Sequence, residues 1–135
     1  MKLLKLVLIA MIMIIPISVL SCSPATATPK GTVNAWLDAT VAENAQATVS
    51  YETENFMEMT TAERIETYEM AFETAPSFSI TNRVLTIESE TESSATIAID
   101  FRLIVVQHGD STEVDESLTV DLIKVDGEWL ISEEY

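Results

Sequence analysis

Few side chains in this 135-residue sequence are equipped for chemistry, and their scarcity narrows what that chemistry is. There is one cysteine, Cys22, and one histidine, His108. A single thiol forms no internal disulfide, and one His with one Cys does not complete a zinc set. His108 opens the polar run His108-Gly109-Asp110-Ser111, which reads as a turn, and no Ser-His-Asp order gathers around it. Asp110, Glu113, Asp115 and Glu116 crowd the following residues without the spacing or central Gly of a calcium loop, so they read as solvated edge charges. The three glycines, Gly31, Gly109 and Gly127, stand apart and form no phosphate cradle. Tyr51 and Tyr68 remain as hydroxyl donors toward a developing oxyanion. Trp36, Tyr51, Tyr68, Phe72 and Phe101 are the candidates to line a small apolar pocket. No catalytic residue, metal ligand or cofactor is expected, and bulky aromatics at periodic positions are first of all core.

The placement of Cys22 is the most informative of these. Lys2 and Lys5 precede an apolar run that ends at Leu20, and Pro16 interrupts it. The run is shorter than the roughly 18 residues expected of a spanning helix. A basic start, a short apolar middle and small residues before a junction describe an export signal over residues 1–21. The junction Val19-Leu20-Ser21-Cys22 resembles the lipobox of bacterial lipoprotein signal peptides. That resemblance implies diacylglycerol (palmitate-type) modification of the Cys22 sulfur, cleavage before it, and a domain tethered to the cell envelope outside the cytoplasm. An uncleaved anchor and a plain secretory peptide with a free thiol are the alternatives. Two or more acyl chains hold durably at about 0.8 kcal/mol per buried methylene. Residues 22–31 then read as the lipidated Cys and an extended, Pro-containing tether, of which the nine residues from Ser23 to Gly31 span at most about 30 Å.

Beyond residue 21 the chain carries five Lys and Arg against 22 Asp and Glu, a net of −17. Such a surface repels nucleic acid and anionic headgroups, so neither is an expected partner of the domain itself. Residues 32–135 are enough for one domain with a real core.

The elements that must position these side chains follow from periodicity. Val33, Trp36, Leu37, Thr40 and Val41 mark one helical face, with Thr32 as the expected N-cap. A further helical piece runs through Asn44–Phe56. Thr60 and Glu63 have capping-box spacing ahead of a helix whose face is Ile65, Tyr68, Phe72 and Ala75, and Pro76 stops it. Glu63, Glu66, Glu69 and Glu73 fill its solvated arc. After Pro76 the period becomes two. Phe78 and Ile80 slip parity to Leu85 and Ile87, which predicts a bulge near Asn82. Ile97, Ile99, Phe101, Leu103 and Val105 alternate cleanly, then Val114, Leu118, Val120 and Leu122 return, and Asp126-Gly127 predicts a hairpin turn. The fold class is α+β: N-terminal helices packed on a strongly bent antiparallel sheet of about four strands.

The leading "VNAWLDATVAENAQATVSYE", the helices before four strands, and the closing "VDLIKVDGEWLI" together resemble the nuclear-transport-factor-two-like (cystatin-like) superfamily, nearest to its small lipoproteins of unknown function. The resemblance covers Thr32 to Tyr135. It implies a cone whose bent sheet wraps helices and leaves a pocket in its mouth, on a fold used by isomerases, dehydratases, ligand binders and assembly domains alike.

Strand parity sets the functional expectation. Ile97, Ile99, Phe101, Leu103 and Val105 share the inner side, which sends Asp100, Arg102 and Asp121 outward. The inner side should then be wholly apolar, meet Trp36, Leu37, Ile65, Tyr68 and Phe72, and hold no acid–base pair. Ile104, Val106, Ile123 and Val125 fall outside, read first as scattered surface aliphatics and otherwise as a patch for a weak homodimer or another partner. The reading is a lipid-anchored, non-catalytic module binding a small apolar ligand or another envelope protein; the alternative is a cone-fold enzyme of the isomerase or dehydratase type.

Overall fold

The computed structural model describes residues 24–134, and Cys22 with the export signal lies outside them. The stretch expected as a tether is instead folded from Pro24 onward. Ala25–Ala27 form a single 3-10 turn, and helix α1 runs Pro29–Val41. Thr28, not Thr32, is its N-cap: the Thr28 hydroxyl accepts from Gly31 N, and Pro29 supplies the pre-set φ of the first helical turn. A side chain is impossible at Gly31, where a Cβ would lie 2.3 Å from the Ala25 carbonyl oxygen. Thr32 is buried inside the helix and donates to the Trp129 carbonyl at 2.9 Å.

Two shorter helical segments follow. Helix α2 (Ala45–Ser50) is capped by Asn44, whose side chain accepts from Ala47 N. A 3-10 turn at Phe56–Glu58 buries Phe56. Helix α3 (Thr61–Thr74) has the expected capping box, with Thr60 N donating to Glu63 at 2.8 Å and Glu63 N to the Thr60 hydroxyl at 3.3 Å. The Thr60 donors hold the Glu63 carboxyl below the usual carboxylate range. Its four outer glutamates are exposed.

Four strands then form one antiparallel, curled sheet in chain order: β1 (Ser77–Glu90), β2 (Ser94–Gln107), β3 (Asp110–Val125) and β4 (Glu128–Glu134). The predicted bulge is present: β1–β2 pairing skips between Thr81 and Val84, with Asn82 at φ 53°. His108-Gly109 and Asp126-Gly127 each turn with both residues at positive φ, as two-residue hairpins with right-handed twist require.

The core sits where α1 crosses the sheet. Val33, Trp36 and Leu37 pack on Ala95, Ile97, Ile99, Val120, Leu122, Trp129 and Ile131. Inward parity holds along β2 and β3, and Asp100, Arg102 and Asp121 face outward, where Asp100 accepts from Ser117, Arg102 pairs with Asp115, and Asp121 accepts from Thr96. Val106, Ile123 and Val125 are exposed on that outer side. The expected reach of Ile65, Tyr68 and Phe72 into this core is not seen; all three are half-buried and outside the cluster.

Candidate functional site

The polar centre of the domain is Glu52, a residue the periodicity did not single out. It follows α2 in the Tyr51–Thr53 segment, which pairs with β4: Ile131 N donates to the Tyr51 carbonyl at 2.8 Å and Thr53 N to the Ile131 carbonyl at 2.9 Å. That pairing fixes the backbone and turns the Glu52 side chain inward, where it is fully buried. Oε2 accepts from Arg64 Nη1 at 2.8 Å. Oε1 accepts from Trp36 Nε1 at 3.0 Å and from the Tyr68 hydroxyl at 2.6 Å. Arg64, 1% exposed, also reaches the Glu54 carbonyl and the Thr61 hydroxyl at 3.4 Å.

This corrects the expectation of a wholly apolar interior. β3 does turn one carboxylate inward, Glu116 opposite Phe101, but it is exposed; the buried carboxylate comes from the loop before α3, and a helix supplies its cation. A signal for it was present in the sequence. Arg64, Tyr68 and Phe72 stand at i, i+4 and i+8, so Arg64 lies on the apolar stripe of α3. A guanidinium on such a stripe requires a buried acceptor.

Chemically, the cluster is a clamp. A general base must come within hydrogen-bond reach of a substrate proton. Both Glu52 oxygens are instead occupied by donors from α1 and α3, and the side chain has no exposed surface. Tyr68 spends its hydroxyl on the same carboxylate, so it is not poised toward an oxyanion.

The five expected pocket residues do not converge on one cavity. Trp36 and Tyr68 meet at Glu52. Phe72 stacks on Tyr68 with ring centroids 5.9 Å apart and borders an open hollow of about 360 Å³ with Glu43, Glu69 and Glu73. Tyr51 and Phe101 are half-buried against the core. Phe101 also borders a shallow depression of about 270 Å³ with Asn82 and Glu116.

A different surface is apolar and open. Register places Phe78 opposite Val105 and Ile80 opposite Leu103, and Leu103 opposite Val114. These residues share the inner face with the core, but apart from Ile80, which packs against its edge, they lie outside the cluster that α1 helps to form. Phe78, Ile80, Phe101, Leu103 and Val105 are only half-buried, and Val114 is 41% exposed. The inner face of the far half of the sheet therefore presents a half-exposed, mainly apolar surface (the trough), on which Glu116 stands opposite Phe101. Sequence parity assigned these side chains inward correctly, but nothing among the described residues covers them fully.

No group of His, Cys, Asp and Glu among the described residues has the geometry of a metal site, and no described helix is long and apolar enough to cross a membrane.

Comparison with known proteins gives the fold. No family model and no curated protein matches this sequence. Solved structures do. A ketosteroid isomerase-like protein from Erwinia carotovora atroseptica superposes with a TM-score of 0.65 at 15% identity, over 83% of this chain and 94% of that one. A domain of unknown function with a cystatin-like fold from Nostoc punctiforme gives 0.61 at 14% identity, over 76% and 70%. An NTF-2 like protein of unknown function from Shewanella oneidensis gives 0.55 at 13% identity, over 76% and 90%.

Proposed function

We propose that this domain, which has the nuclear-transport-factor-two-like fold, is a lipid-anchored, extracytoplasmic binding module. Its inner apolar trough takes a small apolar ligand or an apolar part of another envelope protein, without turning it over. One observation carries the reading: the acid buried at the centre of the cone, Glu52, is saturated by Arg64, Trp36 and Tyr68, while the adjoining trough presents half-exposed aliphatic and aromatic side chains around a single solvent-exposed carboxylate, Glu116. Catalysis by proton transfer needs the first to be free; binding needs only the second. The isomerase reading, brought by fold likeness alone, has no such support.

The anchor is part of the proposal. It rests on Val19-Leu20-Ser21-Cys22; the described structure starts at Pro24, two residues after Cys22, so a lipid on Cys22 would hold Pro24 within about 7 Å of chain from it. Labelled palmitate supplied to expressing cells should enter the wild-type chain and not Cys22→Ser; equal labelling of both removes the anchor from the proposal.

Trough binding is tested with Nile red, a neutral apolar dye. The wild type should enhance its fluorescence. Leu103→Glu, inside the trough, should weaken binding at least tenfold, and Ile123→Glu, on the outer face, should leave it unchanged. Equal binding by all three, with melting curves confirming that each is folded, would place the dye elsewhere and end the trough reading.

A further inference from the structure

The free margins of the sheet are finished in three different ways. The outer edge of β4 is covered by Tyr51–Thr53 through the two backbone hydrogen bonds already described. The outer edge of β1 is broken by the bulge at Asn82, from which Arg83 reaches Asp38 on α1. Bulges and covering segments are how proteins blunt strand edges. The first ten residues of β3 have neither. β4 pairs only with Val120–Val125, while Asp110–Thr119 runs without a bulge along β2. Among the described residues no backbone partner stands on its other side. Alternate residues of this stretch therefore aim their N–H and C=O groups away from the sheet.

The same ten residues border the open trough. Val114 and Leu118 point inward, opposite Leu103 and Ile99, and Glu116 sits between them, opposite Phe101. On the outer side, Arg102 already serves Asp115 at 2.8 Å and Glu113 at 3.4 Å. That contact holds the Asp115 carboxyl below its usual range. Glu116 has no cation within salt-bridge distance among the described residues.

We propose that Asp110–Thr119 accepts an extended segment of a partner protein as an added strand. The segment carries apolar side chains against Val114 and Leu118 and a Lys or Arg between them against Glu116, an apolar-x-basic-x-apolar pattern. In this mode main-chain hydrogen bonds supply affinity and alternate side chains supply specificity. Charge complementarity selects a basic partner over a second copy of this chain. Antiparallel self-pairing over the whole stretch would set Glu113 directly against Glu116 twice, between two strongly acidic domains. The proposal rests on the trough reading and specifies its occupant.

The test uses the full chain in detergent and a fluorescein-labelled heptapeptide of sequence TITKTIT, followed by anisotropy. Binding is expected. N-methylation of alternate peptide amides, in the phase that faces the edge, should abolish it. Exchanging the peptide Lys for Glu should weaken it at least tenfold, and Glu116→Lys in the protein should reverse that preference. Equal binding of both N-methylated phases, or of the Lys and Glu peptides, would overturn strand addition with a basic partner. So would Nile red binding with no peptide binding, which leaves the trough reading intact. Peptide binding without Nile red binding has the opposite meaning: it supports the added strand and removes the small-ligand reading.

Discussion

Arg64→Ala should destabilise the domain by about 3–5 kcal/mol, the range seen when one partner of a buried ion pair is removed. Arg64 is 1% exposed and is the guanidinium that the buried Glu52 carboxylate faces. Taking it away leaves a carboxylate in the core with only the Trp36 indole N–H and the Tyr68 hydroxyl as donors. Neither neutralises a charge. For a domain of about 100 residues the loss corresponds to a melting temperature lower by more than about 10 °C. A second variant separates charge burial from lost packing. Glu52→Gln combined with Arg64→Met keeps an oxygen for Trp36 and Tyr68 and fills similar volume without either charge, so it should be more stable than Arg64→Ala. Urea unfolding read by tryptophan fluorescence checks both. A cost below about 1 kcal/mol for Arg64→Ala would show that the clamp is not what holds α1, α3 and the Tyr51–Thr53 segment together.

Trp129→Ala should cost a similar amount, about 3–5 kcal/mol, by a different mechanism. Trp129 is 4% exposed in β4, within the central cluster, and its backbone carbonyl anchors Thr32 of α1. The Lys124 ammonium lies 5.5 Å from the ring centroid, so the indole also covers that side of the core from water. Truncation opens a cavity where helix, sheet edge and closing hairpin meet. Trp36 remains as the fluorescent reporter, and the urea midpoint should fall with an unchanged slope. Trp129→Phe, which keeps an aromatic ring there, should cost less. A shift under about 0.5 kcal/mol for Trp129→Ala would mark the position as surface.

What the sequence determined by itself was local. Capping chemistry is written into neighbouring residues, so Thr60 and Glu63 located the start of α3, and Pro76 its end. Period-two alternation specified the inner and outer faces of β2 and β3, because a one-residue slip would invert every side chain. Positive-φ dipeptides set both hairpins, and the parity slip around Asn82 marked the bulge. Even the misplaced start of α1 was legible, since Thr28-Pro29 is an N-cap and first-turn pair; a run of small residues and prolines simply also fits an extended chain.

The site was not local, and only the tertiary structure decided it. Glu52 and Arg64 are twelve residues apart on segments with different periods, and Trp36 comes from a third element. Whether a carboxylate in "YETENF" is solvated or buried depends on the pairing of Tyr51–Thr53 with β4, a contact across nearly eighty residues that no nearby pattern encodes. The trough and the bare β3 edge likewise depend on which described elements lie beside them. Among the described residues β4 pairs with β3 only over Val120–Val125, and the cluster around α1 takes in Ile97 and Ile99 but not Leu103 or Val114, so identical inward parity yields a sealed core at the first two and a half-exposed apolar surface at the others. Periodicity says which way a side chain points; burial depends on what another element places over it.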